Sequence, residues 1–401
     1  GELDARAVAV AHSARITRVQ LAARVAAGHK SEPGPRKQPQ PPPKKPMGSA
    51  CTKASPGSVN NNEAEDYADG EDGDTMGQTG PPSPSKGKTF RDRRLSMSQV
   101  HDPKANDRSR RLSVYGSGSS EGGAVVEVTG LKSVGAKSIP GVEPVPGGSV
   151  AKINQDRAIA IWPFLNDKRC ALLGVFDGHG KQGDGVSQFV KDNLPGLIEE
   201  HEQVHSKPAV ALKESYVACD EELAASTVEA SVSGSTAVTV LVKDRTYWVA
   251  NAGDSRAVIG RWTSGQKGMT AHDVSFDQKP DTPAEMKRII AAGGHVTPAG
   301  TNGSPARVWH NFRGLAMARS IGDHNAATVG VIAEPDVNQY TFDDKDAVMV
   351  IASDGVWELL DSQQVIDIVA QNYGSPTESI VDAIIEQAAY MWKVEEGDYR
   401  D

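Results

Sequence analysis

The chain has 401 residues, 38% apolar and 24% charged, enough for one large domain or two ordinary ones with a core that stands alone. Its net charge of -9, from 43 Lys plus Arg against 52 Asp plus Glu, argues against a chain held to nucleic acid by general electrostatics and suits cations better than polyanions. The scattered cysteines Cys51, Cys170 and Cys219 exclude a disulfide framework and fit a reducing compartment, and no apolar run approaches the roughly 20 residues that cross a bilayer.

Taken in chain order, the first third reads as a leader without a packed core. Three of the 21 aromatic residues (Tyr67, Phe90, Tyr115) precede residue 125, while 12 of the 24 prolines lie between residues 33 and 103. Residues 1–46 hold nine bases, three acids and no methionine, and are expected to be an upstream, non-native or disordered segment. The first methionine opens Met47-Gly48-Ser49-Ala50-Cys51-Thr52, which matches an N-myristoylation pattern and adds a cysteine for palmitate. One acyl chain holds a membrane only marginally and two hold it stably, so Gly48 and Cys51 predict peripheral contact with the cytoplasmic face of a membrane. Two alternatives stand beside this. Translation starting upstream makes Gly48 internal, and Arg6, Arg15, Arg18 and Arg24 in an alanine-rich stretch allow an organelle-targeting helix, against which Glu2 and Asp4 count.

Residues 47–123 read as a disordered regulatory tail. Seven acids without a base lie in 63–74, and nine bases against three acids lie in 86–111. The near-copies Arg93-Arg94-Leu95-Ser96 and Arg110-Arg111-Leu112-Ser113 make Ser96 and Ser113 candidate sites for a basophilic kinase, where phosphate would reverse part of a basic patch.

From 124 to 401 the pattern is globular. Short apolar runs at 124–128, 157–162, 170–176, 236–242, 246–250, 256–262 and 347–352, bounded by Gly, Asp and Asn, predict strands. Apolar spacing of three and four predicts helices at about 185–205, 209–225, 282–292, 362–371 and 377–392. Several strands follow one another across tight turns, which favours an α+β layered sandwich over a doubly wound parallel sheet.

Carboxylates gather where the predicted strands stop: Asp156 before 157–162, Asp177 after 170–176, Asp254 in a Gly-Asp turn, and Asp354 after 347–352. A buried carboxylate is costly unless paired or metal-bound, and an oxygen-rich, nitrogen-poor set selects hard ions such as Mg²⁺ or Mn²⁺. Any single Asp-Gly is ordinary turn chemistry, so the weight lies on their joint placement.

Eight motifs stand in order along the globular part: Asn154-Gln155-Asp156; Val175-Phe176-Asp177-Gly178-His179-Gly180; Ser235-Thr236-Ala237; Asn251-Ala252-Gly253-Asp254-Ser255-Arg256; Asp277-Gln278-Lys279-Pro280; Gly314-Leu315-Ala316-Met317-Ala318-Arg319-Ser320-Ile321-Gly322-Asp323; Glu334-Pro335-Asp336-Val337; and Ser353-Asp354-Gly355-Val356-Trp357. Together, and in this order, they resemble the metal-dependent serine/threonine protein phosphatases of type 2C over residues 125–401.

The resemblance implies a four-layer α-β-β-α sandwich of two mostly antiparallel sheets flanked by helices, preceded by the disordered leader, and a monomer that hydrolyses phosphoserine and phosphothreonine in proteins. Asp177 would bridge two Mg²⁺ or Mn²⁺ ions, with Gly178 lending its carbonyl. Asp354 and Asp401 would hold the ion on the other side, Asp156 would orient metal-bound water, and Asp254 would serve a third, weaker site. The physical account alongside is that paired ions acidify water near neutral pH and neutralise phosphoryl charge, while His179 protonates the departing oxygen.

The chain departs from the family pattern in places. Ala151 stands where many members carry a phosphate-gripping arginine, leaving Lys152 as the nearest cation, a point charge without the guanidinium fork. Gln155 replaces a carboxylate of some members, and Glu358 sits where a further acid is frequent. Residues 395–401 resemble the approach to the last metal ligand with no strand after it, which reads as a fragment. The stretch 265–311 is expected as a loop-rich flap beside the cleft. Two other readings remain open: a catalytically silent module keeping the fold, and a hydrolase of small phosphoesters.

Overall fold

The computed structural model describes residues 131–397, apart from 266, 267 and 302, together with the backbone of two short strands further upstream. Gly48, Cys51, Ser96, Asp401 and the strand expected at 124–128 lie outside the described residues, whereas the backbone of Ser113, expected in a disordered tail, lies in a short strand that pairs with Ile159.

In chain order the strands begin with β1 (Arg6–Val10), β2 (Arg111–Val114), β3 (Val134–Lys137), β4 (Val142–Val145), β5 (Gly148–Ala151), β6 (Asp156–Ile161) and β7 (Cys170–His179). Helices α1 (Gly183–Glu200) and α2 (Pro208–Ala224) follow, then β8 (Gly234–Ser235), β9 (Ala237–Lys243), β10 (Thr246–Ala252), β11 (Arg256–Trp262) and β12 (Met269–Asp273). Next come α3 (Pro283–Ala291), β13 (His295–Thr297), β14 (Arg307–His310), β15 (Arg313–Leu315), β16 (Ile321–Gly322), α4 (His324–Ala327), β17 (Asp336–Thr341) and β18 (Asp346–Ala352). The chain closes with α5 (Asp354–Trp357), α6 (Ser362–Gln371) and α7 (Thr377–Glu395).

One sheet runs β12-β11-β18-β1-β3; the other runs β2-β6-β7-β9-β10-β17, with β8 and β16 continuing from the end of β7. Neighbouring strands are antiparallel except β1, which lies parallel to both β18 and β3. Residues 1–46, set apart from the fold on sequence, thus include one short run placed inside a sheet.

The period-two alternation of the strands builds the layers. Along β7, Ala171, Leu173 and Val175 join Met349 and Ile351 of β18 in the core between the sheets. The intervening Cys170, Leu172 and Phe176 face outward onto α1 and α2, whose Val190, Leu194 and Leu212 cover that side. On the opposite face, Val348, Val350 and Ala352 of β18 pack on α5, α6 and α7 through Trp357, Ile366 and Ile384. This is the four-layer α+β sandwich.

Three boundaries differ from expectation for physical reasons. The strand expected to stop at 176 continues to His179, because Gly178 and His179 pair with Ser235 and Gly234 of β8; Asp177 lies within a strand, not after one. Helix α1 ends at Glu200 instead of 205, where a turn buries Val204 before Pro208 opens the next helix. Within 265–311, β13 and β14 join β15 in a small sheet, with Ile289, Val296, Val308, Ala318 and Val331 as its own core.

Candidate active site

Two sheets deliver carboxylates to one end of the sandwich. Asp156 opens β6 and stands directly opposite Asp177 of β7, so the two side chains share a face about 5 Å apart at their Cβ atoms. Asp354 opens α5 at the end of β18, and the preceding Ser353 donates its hydroxyl to Asp156 Oδ2 at 3.4 Å, which ties the second sheet to the first. Asp177, Gly178, His179, Asp354 and Lys152 all line one cleft of about 650 Å³.

The backbone around Asp177 leaves little freedom. Its amide donates to Thr236 Oγ1 at 3.1 Å, its carbonyl accepts from the Thr236 amide at 2.8 Å, and Thr236 Oγ1 meets Ser255 Oγ at 2.6 Å. At Gly178 a Cβ would strike the Gly183 carbonyl and sit 2.7 Å from the Gln155 carbonyl, so only glycine lets helix α1 start against this strand. Asn154 accepts from the Asp156 amide at 3.0 Å and donates to Ser138 at 2.7 Å, fixing the entry to β6. Gln155 donates to the Gly180 carbonyl at 2.8 Å and so has a structural task.

His179 is held by a residue to which the sequence reading gave no role. Its Nε2 lies 2.6 Å from Asp323 Oδ2, and the same carboxylate oxygen accepts from Ser320 Oγ at 2.7 Å. Asp323 adopts a left-handed backbone, φ 49°, between β16 and α4, which aims its side chain back at β7. Gly234 makes room for the pair, since a Cβ there would collide with Asp323 Oδ2 and lie 2.7 Å from His179 Nε2. Burial works against charge on His179, yet the Asp323 carboxylate and its hydrogen bond outweigh burial and hold the imidazole above its ordinary pKa. Burial pushes Asp323 up, but the His179 charge and the bonds from His179 and Ser320 bring it below the usual carboxylate value. Among the described residues, His179 Nδ1 has no hydrogen-bond partner.

Asp254 is placed otherwise than its neighbours. It is buried and is not among the residues lining the cleft; Lys279 Nζ donates to its Oδ2 at 2.7 Å, while Oδ1 finds no partner among the described residues. Burial opposes charge on Lys279, but Asp254, then Asp354 and Glu358, hold the ammonium above the ordinary lysine value. Lys279 thus brings a protein cation to the acidic group expected to hold a weaker third ion. The Asp277-Gln278-Lys279-Pro280 motif was the signal available for it.

The residues suit a hard divalent cation in kind: oxygen donors on two facing strands and a helix start, and a buried carboxylate oxygen with nothing to bind. Among the described residues, no three or more His, Cys, Asp or Glu side chains already stand as a ready-made cage. Asp401, the remaining ligand expected on sequence, lies outside the described residues.

Comparison with known proteins bears on the family and the fold. The family model for protein phosphatase 2C matches residues 148–393. A rice protein (Oryza sativa subsp. japonica) named "Probable protein phosphatase 2C 64" is 38% identical over 253 residues, 60% of this chain and 58% of its own length. An Arabidopsis thaliana protein named "Probable protein phosphatase 2C 72" is 35% identical over 255 residues, 60% of this chain and 76% of its own. This chain therefore spans little more than half of the rice relative. The crystal structure of a serine-threonine phosphatase 2C from Toxoplasma gondii superposes with a TM-score of 0.55 at 23% identity, covering 65% of this chain and 95% of that one, a likeness of fold.

Proposed function

The chain belongs to the protein phosphatase 2C family, and on that premise we propose that it hydrolyses phosphoserine and phosphothreonine in proteins in a reaction dependent on Mg²⁺ or Mn²⁺. The observation that carries this reading is the meeting, in one cleft, of Asp177 and Asp354 with a histidine held by a buried aspartate.

Asp177 with the Gly178 carbonyl, Asp354 and Asp401 would hold two ions, and Asp254 a weaker third in competition with Lys279. When bound, such ions supply Lewis acidity to water and charge neutralisation to phosphoryl oxygens. The protein's own groups do the rest. Asp156, opposite Asp177, accepts a hydrogen bond from the attacking water and aims it at phosphorus, in line with the departing oxygen. Lys152 offers the substrate phosphate a point charge from the cleft wall where Ala151 leaves no guanidinium. His179 keeps Nε2 on Asp323, so the proton that leaves the imidazolium would come from Nδ1, which is buried without a partner among the described residues and must be uncovered by a shift of the ring as substrate binds. That proton passes to the serine or threonine oxygen as the P–O bond breaks, leaving a free hydroxyl and inorganic phosphate.

In the leader, the reading assigns acylation to Gly48 and Cys51 and kinase control to Ser96 and Ser113, placing the enzyme at a cytoplasmic membrane face. Among the described residues no helix is long and apolar enough to cross a membrane. Mass spectrometry of the cellular N-terminus tests that part: acylated Gly48 supports it, and an unmodified start upstream removes it. The catalytic reading is tested by release of phosphate from a phosphothreonine peptide with Mn²⁺ supplied and then chelated. Metal-dependent release that Asp177→Asn abolishes is expected; a chain inert with Mn²⁺ would make this a silent relative.

A further inference from the structure

The cleft has one wall of opposite charge to its floor. The 37 residues Met286 to Gly322 contain no Asp or Glu and five bases, in a chain whose net charge is -9. Two of the five are paired with acids, Arg288 with Glu285 at 2.7 Å and Arg319 with Glu285 at 2.6 Å and Asp336 at 2.9 Å. Arg307 and Arg313 instead line the cleft, with His310 beside them.

The β14–β15 hairpin presents them on a stiff support. His310 and Arg313 are its last register pair, facing one another across the Asn311-Phe312 turn, where Asn311 has φ 55°. Trp309 Nε1 donates to Thr297 Oγ1 at 2.8 Å and Arg307 donates to the Gly314 carbonyl at 3.0 Å, bracing the hairpin. Gly314 is required there, because a Cβ would lie 2.8 Å from the Arg307 stem and 3.1 Å from the Trp309 ring. Two-residue turns ordinarily carry small polar residues, yet this one carries a phenylalanine that is 99% exposed. Ile153, beside Lys152, is also exposed, at 70%.

We infer that the β14–β15 hairpin is the substrate-selecting wall of the cleft, taking protein segments with an acidic side chain beside the phosphoresidue against Arg313 and His310, and an apolar one against Phe312. The inference rests on the phosphatase reading and names the substrate class for it. Asp177, Asp323 and Asp354 line the floor, where on that reading Asp177 and Asp354 serve the phosphoryl group and its ions while Asp323 holds His179. Arg313, at the turn and exposed, is placed to meet the chain on either side of the phosphoresidue, where complementary charge selects partners.

The test uses the full chain with Mn²⁺, p-nitrophenyl phosphate, and phosphothreonine peptides that differ only in flanking Asp, Asn or Lys and in one flanking Leu or Gly. Hydrolysis is followed kinetically and binding by fluorescence anisotropy. KM for the Asp peptide should lie about threefold to fivefold below that for Asn, with kcat little changed. Arg313→Glu should reverse the Asp-to-Lys preference, and Phe312→Ala should erase the Leu-to-Gly preference. Equal kcat/KM for Asp and Lys peptides, or a preference untouched by Arg313→Glu, overturns the inference while hydrolysis of p-nitrophenyl phosphate leaves the phosphatase reading standing. Failure to hydrolyse any substrate overturns that reading. The anisotropy ranking then decides the inference alone: Asp above Lys, reversed by Arg313→Glu, upholds the wall, and no ranking removes it.

Discussion

The floor of the cleft and its hairpin wall are built by opposite means. Asp177 is locked by strand register opposite the buried Asp156 within one sheet, with a glycine next to it that admits no Cβ and backbone bonds to Thr236. The wall stands on a five-residue apolar core of its own and turns Phe312 and Arg313 outward. Burial holds charged groups in a fixed arrangement, which chemistry on phosphorus demands, and exposure leaves the wall able to change residues at little cost to the fold. Substitutions should therefore affect chemistry at the floor and selectivity at the wall.

The largest effect is expected at the floor. Asp177→Asn should lower metal-dependent turnover by roughly a hundredfold to a thousandfold while the thermal midpoint stays close to wild type, measured by phosphate release and calorimetry. Gly234→Ala, which forces Asp323 and His179 apart, should lower kcat by about tenfold to a hundredfold with KM little changed. Midway between the regions, Glu285 binds Arg319 and Arg288 with its side chain 4% exposed. Burial raises its pKa but the two arginines bring it below the ordinary value. Its contribution to stability is therefore complete above the ordinary glutamate pKa of about 4.3 and is lost as pH falls through the lower folded value. Glu285→Gln should cost about 2 kcal/mol at neutral pH in denaturant titration, and the penalty should shrink as the pH is taken below that range. The smallest change in stability belongs to the wall: Phe312→Ala should move it by no more than about 0.5 kcal/mol.

Much of the sandwich was legible because its strands alternate between two cores, so 170–176 and 347–352 stand out as apolar runs. The carboxylates were legible for the same reason, as acids abutting apolar strands. The pairings of two further groups were not, although both groups stand in motifs of the sequence. Asp323 meets His179 across 144 residues of sequence and Lys279 meets Asp254 across 25, and pairing of that kind leaves no local period. The end of β7 was also misjudged, since glycine and aspartate read as a turn while β8 supplies the pairing that keeps the strand going. The small β13–β14–β15 sheet was hidden by its glycines, prolines and asparagines, which suggested a loop.

The most direct measurement is Mn²⁺ binding by isothermal titration calorimetry on the full chain, with Asp177→Asn as the paired sample. Saturable uptake of two ions by the wild type, lost in the variant, is the result expected if Asp156, Asp177 and Asp354 converge as a metal site. No saturable uptake, or uptake that Asp177→Asn leaves unchanged, would contradict it.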